Sequence, residues 1–210
     1  MTPLRQGKWH AFELIKPTMK NLSRRIFIKK NTLSGLGLLG IVQFSTINAA
    51  TKATPQTMMT PLIDVLRSTH KPVCEAAATE LAALTSNPSS YNLHLRNASL
   101  TPAEIEHIAK AIKTVDDDHG PALQSFSMSY NPKLRNEGVL SLVHSLPATV
   151  TEIGLVGCGV GDHGAKALIT WVAKAPKLRM LCVEQNALSS ATKVQLLKLS
   201  EQRPHLLVVV

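Results

Sequence analysis

Four stretches of this chain line up in one phase, and that periodicity restricts the fold more than any single motif. SYNLHLRNASL starts at Ser90, LQSFSMSYNPKL at Leu123, VTEIGLVGCGV at Val150 and LRMLCVEQNAL at Leu178. Three and five positions after each start stand apolar residues: Leu93 and Leu95, Phe126 and Met128, Ile153 and Leu155, Leu181 and Val183. Eight positions after each start come Ala98, Asn131, Cys158 and Asn186, and then Leu100, Leu134, Val160 and Leu188, with Leu134 one residue late. The starts step by 33, 27 and 28 residues; a further 28 reaches Leu206, where LLVVV predicts a fifth, truncated strand. The polar insertion TVDDDHG (114–120) accounts for the long first step. Residues two apart in a strand point to the same side, so the third and fifth positions of each unit enter a common core.

A helical pattern follows each strand pattern. Thr101-Pro102-Ala103-Glu104 reads as a capping box, with Ile105, Ile108, Ala109 and Ile112 behind it at helical spacing. Gly138, Val139, Leu142, Val143 and Leu146 repeat the pattern, as do Ala165, Leu168, Ile169 and Val172 after Asp162 as the expected cap, and Val194, Leu196, Leu197 and Leu199. One strand–helix unit cannot bury its own apolar face, but stacked units bury a continuous core. The expected class is therefore α/β, built from strand–helix units on a parallel sheet.

The pattern L-x-x-L-x-L-x-x-(N/C)-x-L, at about 28 residues per unit, resembles the leucine-rich repeats of the ribonuclease-inhibitor-like type. The succession Asn131, Cys158, Asn186 is similar to the alternating Asn and Cys units of that group. The resemblance covers residues 90–210; its departures, Ser90 and Ala98, both fall in the first unit. It implies a solenoid with a curved parallel sheet and helices on the convex side. It also implies protein–protein binding through the concave face, with no catalytic residues, cofactor or metal. Residues two, four and six places into each strand would form that face. They are Asn92, His94 and Arg96; Ser125, Ser127 and Ser129; Glu152, Gly154 and Val156; and Met180, Cys182 and Glu184.

Residues 60–89 are expected to form a helical cap on the first unit. TPLIDVLRSTH (60–70) and PVCEAAATELAAL (72–84) read as two helices, with Pro61 and Pro72 in their first turns. Residues 51–59 read as a linker, and SNPSS (86–90) as the turn into the first strand.

The formal charge of +9 suggests an anionic partner until it is located. Residues 1–50 hold eight of the 23 Lys and Arg with one acid, Glu13, leaving 15 basic against 13 acidic residues in the remainder. That near balance removes the argument for nucleic acid. In the basic segment, Ser23, Arg24, Arg25, Phe27, Ile28 and Lys29 are similar to the twin-arginine export motif of bacteria. A Gly- and Ser-broken apolar run (31–50) follows, too interrupted for a membrane span. The resemblance implies a signal segment over 1–50, engagement of the twin-arginine export machinery, and a periplasmic or secreted destination. Membrane contact would come only through an uncleaved signal. Three cysteines, Cys74, Cys158 and Cys182, lack paired spacing, and the eight histidines include no helical pair, so neither a disulfide framework nor a metal site is expected.

One motif invites another reading. Gly159-Val160-Gly161-Asp162-His163-Gly164 has the spacing of a dinucleotide-binding loop, and Glu184 lies 20 residues after Gly164. The repeat already requires the flanking strand–helix–strand, and too little chain follows for a doubly wound domain. A nucleotide binder or enzyme using Gly159–Gly164 and Glu184 is the alternative function; a secreted effector that binds a host protein is another. Asp162-His163 reads as a cap with a solvated neighbour. Asp116-Asp117-Asp118-His119 reads as a solvated acidic loop, because calcium-loop spacing is absent.

Overall fold

The computed structural model describes residues 55–84 and 88–210. The signal motif Ser23–Lys29 and the rest of residues 1–54 lie outside the described residues, as do 85–87. The described chain is an α/β fold with six helices and five strands. Two helices come first, α1 (Pro55–Ser68) and α2 (Pro72–Ala82). Strands and helices then alternate: β1 (Ser90–His94), α3 (Pro102–Asp117), β2 (Ala122–Ser127), α4 (Arg135–Val143) and β3 (Glu152–Gly154). The remainder is α5 (Asp162–Val172), β4 (Met180–Cys182), α6 (Ser190–Gln202) and β5 (Leu207–Val209). All strand pairs are parallel, and the sheet order is the chain order, β1-β2-β3-β4-β5.

The register puts equivalent residues of successive units side by side. Asn92, Ser125, Glu152, Met180 and Leu207 form one row across the sheet, and His94, Ser127, Gly154, Cys182 and Val209 another. A register shift between Tyr91 and Asn92 adjusts the long first step. The last step is 27 residues, not 28, because Leu207 rather than Val208 stands opposite Met180. All eight residues at the third and fifth positions are buried, none more than 1% exposed.

The eighth position ties each unit to the one before it. Asn131 is fully buried; its amide nitrogen donates to the Leu95 and Met128 carbonyls, and its Oδ1 accepts from the Leu100 N–H. Asn186 repeats this one pair of units later, donating to Leu155 and Val183 and accepting from the Cys158 and Val160 N–H groups. At Cys158 the thiol donates back to the Met128 carbonyl. A buried backbone group without a partner is costly, so these side chains complete the turn out of each strand. Ala98 has no unit ahead of it to serve.

The backbone repeats too. The seventh position is left-handed in every unit, at Asn97 (φ 52), Tyr130 (φ 62), Gly157 (φ 62) and Gln185 (φ 57). Only Gly157 takes this conformation without a steric cost.

The capping box at α3 is complete: Thr101 Oγ1 accepts from the Glu104 N–H, and Glu104 Oε2 accepts from the Thr101 N–H. Helix α1 differs from expectation. It starts at Pro55 and takes in part of the expected 51–59 linker, leaving Pro61 inside the helix rather than in its first turn. Met59 supplies the reason, because it is 1% exposed in the same core as Leu62 and Leu66. Helix α1 packs on α2 and α3, and α2 meets β1. Helix α6 also differs. Thr192 and Leu196 are buried, whereas Val194 and Leu197 are 50% and 42% exposed. The inward stripe follows 192, 196 and 199, one rotation step away from the expected apolar set.

Candidate functional site

The exposed side of the sheet brings the even-position residues of four units together. A hydrogen-bonded relay crosses three strands. His94 Nε2 lies 2.9 Å from Ser125 Oγ, and Ser125 Oγ lies 3.0 Å from Glu152 Oε2. The carboxylate can only accept, so the Ser125 hydroxyl donates to it and His94 Nε2 donates to Ser125. Asn92 joins the group, its Oδ1 accepting the Ser125 N–H at 3.2 Å beside the register shift.

This order differs from that of a nucleophilic triad, where the histidine stands between serine and acid and removes the serine proton. Here the serine is in the middle and its proton is directed at an exposed carboxylate. The arrangement gives the relay a direction, from the His94 donor on β1 to the Glu152 acceptor on β3.

Arg96 extends the cationic end, with its guanidinium carbon 5.3 Å from the centroid of the Tyr130 ring, within cation–π range. The left-handed backbone at Tyr130 turns that ring out of the core, leaving it 39% exposed. Tyr130 is a member of this surface that sequence reasoning missed. Its signal was an aromatic residue where the other units carry Asn, Gly or Gln.

At the other end, burial pushes the Cys182 thiol up, and the charges of Glu184 and Glu152 raise it further. Met180 is 37% exposed in the same row as Glu152. Gly154 keeps the centre flat, since a Cβ there would meet Ser127 Oγ at 2.9 Å.

One expected face residue is not accessible. Ser129 is 1% exposed, and its hydroxyl accepts the Val156 N–H at 3.1 Å. It follows the end of β2, where it completes the ladder that the strand no longer supplies.

The glycine motif is occupied by protein. Asn136, on α4, places its Oδ1 2.9 Å from the Gly161 N–H and 3.0 Å from the Gly164 N–H. These are among the helix-start donors that a phosphate would need. Added Cβ atoms have no room at two of the glycines. At Gly164 one would lie 2.9 Å from Asn136 Oδ1, and at Gly159 (φ +68) 2.9 Å from the Pro132 carbonyl oxygen.

Asp162 is not the cap of α5; Gly161 is, without a side-chain bond. Asp162 Oδ1 instead accepts the Ser189 N–H at the start of α6, at 2.9 Å. That bond, with further bonds from Ser189 and Thr192 side chains, holds the Asp162 carboxyl below its usual range. Asn136 and Asp162 thus stand in equivalent positions, each closing the helix start of the following unit.

Among the described residues, no group of three or more His, Cys, Asp or Glu is placed to hold a metal ion. The expected acidic loop is in part helix: Asp116 and Asp117 form the end of α3 and Asp118 its C-cap; all three are exposed, with Asp117 paired to Lys113 at 2.7 Å. No described helix is long and apolar enough to cross a membrane. No protein-family model matches the chain, and no curated protein matches it.

Proposed function

We propose that this chain is an exported bacterial leucine-rich-repeat protein of the ribonuclease-inhibitor-like type. It binds another protein through the exposed face of its sheet and carries out no catalysis there. The observation that carries this reading is the relay His94–Ser125–Glu152, flanked by Arg96 and Glu184. A sheet face with directed donors, directed acceptors and opposite charges at its two ends can select a partner by complementarity. The stacked units, the equivalent rows and the Asn and Cys side chains at the eighth position support a solenoid with helices on its convex side. Helices α1 and α2 then serve as the cap on its first unit. Residues 1–50 are the twin-arginine-type signal, which gives a periplasmic or secreted protein.

The test replaces Arg96, Glu152 and Glu184 together by Ala. Partner capture from an extract should fall while the circular dichroism stays unchanged. An unaltered set of captured proteins removes the sheet face from consideration. Export is tested separately by fusing residues 1–55 to a reporter, where Arg24/Arg25→Lys/Lys should block its transport.

A further inference from the structure

In a parallel sheet every strand starts at the same end, so the loops that enter β2, β4 and β5 share one edge of the molecule. That edge is electrically divided. The last turn of α3 and its C-cap, leading into β2, present Asp116, Asp117 and Asp118, all exposed. The loops into β4 and β5 enclose a cleft of about 800 Å³ whose walls include Lys177, Arg179, Arg203 and His205 and no acid.

Arg203 is already committed. Its guanidinium donates to the carbonyls of Val172, Ala175, Pro176 and Leu178, which fixes the floor of the cleft. Lys177 and Arg179 are exposed and make no ion pair with any described residue. Asp116 and Asp118 are likewise without an ion pair among the described residues.

We infer that this edge is a self-complementary interface, and that the occupant of the basic cleft is the acidic C-terminal end of α3 of a second copy of this chain. The strand order supplies the geometry. A two-fold axis normal to the sheet at the start of β3 exchanges β2 with β4 and β1 with β5. One such axis therefore sets the Asp116–Asp118 end of each copy's α3 against the other copy's Lys177–Arg179 cleft, giving two identical contacts. This surface lies at the strand starts, apart from the sheet face assigned above, and the two proposals stand or fall separately.

The test uses charge exchange on the full chain. Light scattering at about 0.1 mM protein should give a dimer mass in low salt. Its dissociation constant should rise at least about tenfold from about 50 to about 500 mM salt. Lys177→Glu/Arg179→Glu should be monomeric, since both its contacts become acid against acid. Asp116→Lys/Asp118→Lys should be monomeric for the opposite reason. Mixed together, the two variants should form a heterodimer, because one contact then pairs the native acids with the native cleft and the other pairs acid with base in reversed roles. A monomeric parent protein overturns the inference, as does a dimer unaffected by either reversal, or folded variants that fail to pair on mixing. If a reversal unfolds the chain, Lys177→Gln/Arg179→Gln takes its place, and an unchanged dimer constant for it overturns the inference equally. A monomer that binds polyglutamate would assign the cleft to another protein's acidic segment and also overturn it.

Discussion

Asn136 Oδ1 accepts the Gly161 N–H at 2.9 Å, so the first turn of α5 is closed by a side chain from the helix before it. Asn136→Ala should leave the Gly161 and Gly164 N–H groups without that acceptor and cost about 1–2 kcal/mol. Asn136→Asp keeps the oxygen and adds a negative charge at a helix start, and should lie close to the parent. Urea midpoints of the three proteins decide this. Equal midpoints for Ala and Asn would remove the cap from the account.

Asn131→Ala should be far more damaging. The side chain is fully buried and makes three bonds to backbone groups, two of them in the preceding unit. Several orphaned buried groups together should cost about 3 kcal/mol or more. Cys158→Ala, at the equivalent position, removes one thiol and its weak bonds, and should cost about 1–2 kcal/mol. The order of the two losses is what thermal denaturation should show.

Acid should weaken the junction of α2 and α3. Burial raises the Glu104 carboxyl, but the Thr101 N–H and hydroxyl and the Lys71 ammonium outweigh it, leaving the carboxyl below its usual 4.5. A carboxyl depressed in the folded state stabilises fully above its unfolded value, and that contribution fades as pH falls through the lower folded value. Glu104→Gln should therefore lower stability at neutral pH and flatten the pH dependence below about pH 4.5. Denaturant midpoints between about pH 2 and pH 7 give the comparison. An acid limb equally steep in both proteins would clear Glu104.

Cys182 should be the cysteine that reacts in the native state. Cys74 and Cys158 are fully buried, whereas Cys182 is half-buried on the exposed side of the sheet. Its thiol is raised by burial first and then by Glu184 and Glu152. Alkylation should be slow at neutral pH, because the thiolate is the reacting form. Glu152→Gln/Glu184→Gln should speed it a few-fold, as two repelling charges disappear. Mass spectrometry after timed alkylation reads both the site and the rate. Faster labelling at Cys74 or Cys158 would contradict the burial pattern.

The core was legible in the sequence because it depends on alternation alone. Leu93, Phe126, Ile153 and Leu181 needed only a period of two within strands and a constant step between them. Asn131 and Asn186 were legible as turn residues, although which unit they serve was not. That information lies between units: Asn131 reaches back to Leu95, 36 residues away. The sheet face was legible as a set, but Ser129 left it because its hydroxyl turns inward to accept the Val156 N–H of the next unit, a contact between units that residue type does not mark. Asp162 looked like a cap for its own helix, the usual use of an aspartate there, and serves the next helix instead. Its relation to Asn136 had a signal, a short acceptor at the same place in two units, hidden by the one-residue offset at Leu134. Arg203 had none; nothing in its neighbours announces a guanidinium spread over four carbonyls.

The reciprocal use of neighbouring units has a mechanical consequence. Unit two completes unit one through Asn131 and closes the helix start of unit three through Asn136. Unit three supports unit four through Asp162 and is itself completed by Asn186. No unit can be cut out, or peeled from an end, without exposing unmatched groups in a unit that stays behind. Fraying is therefore penalised at both ends, and the stack should melt as one zipped block rather than as a row of loosely coupled beads.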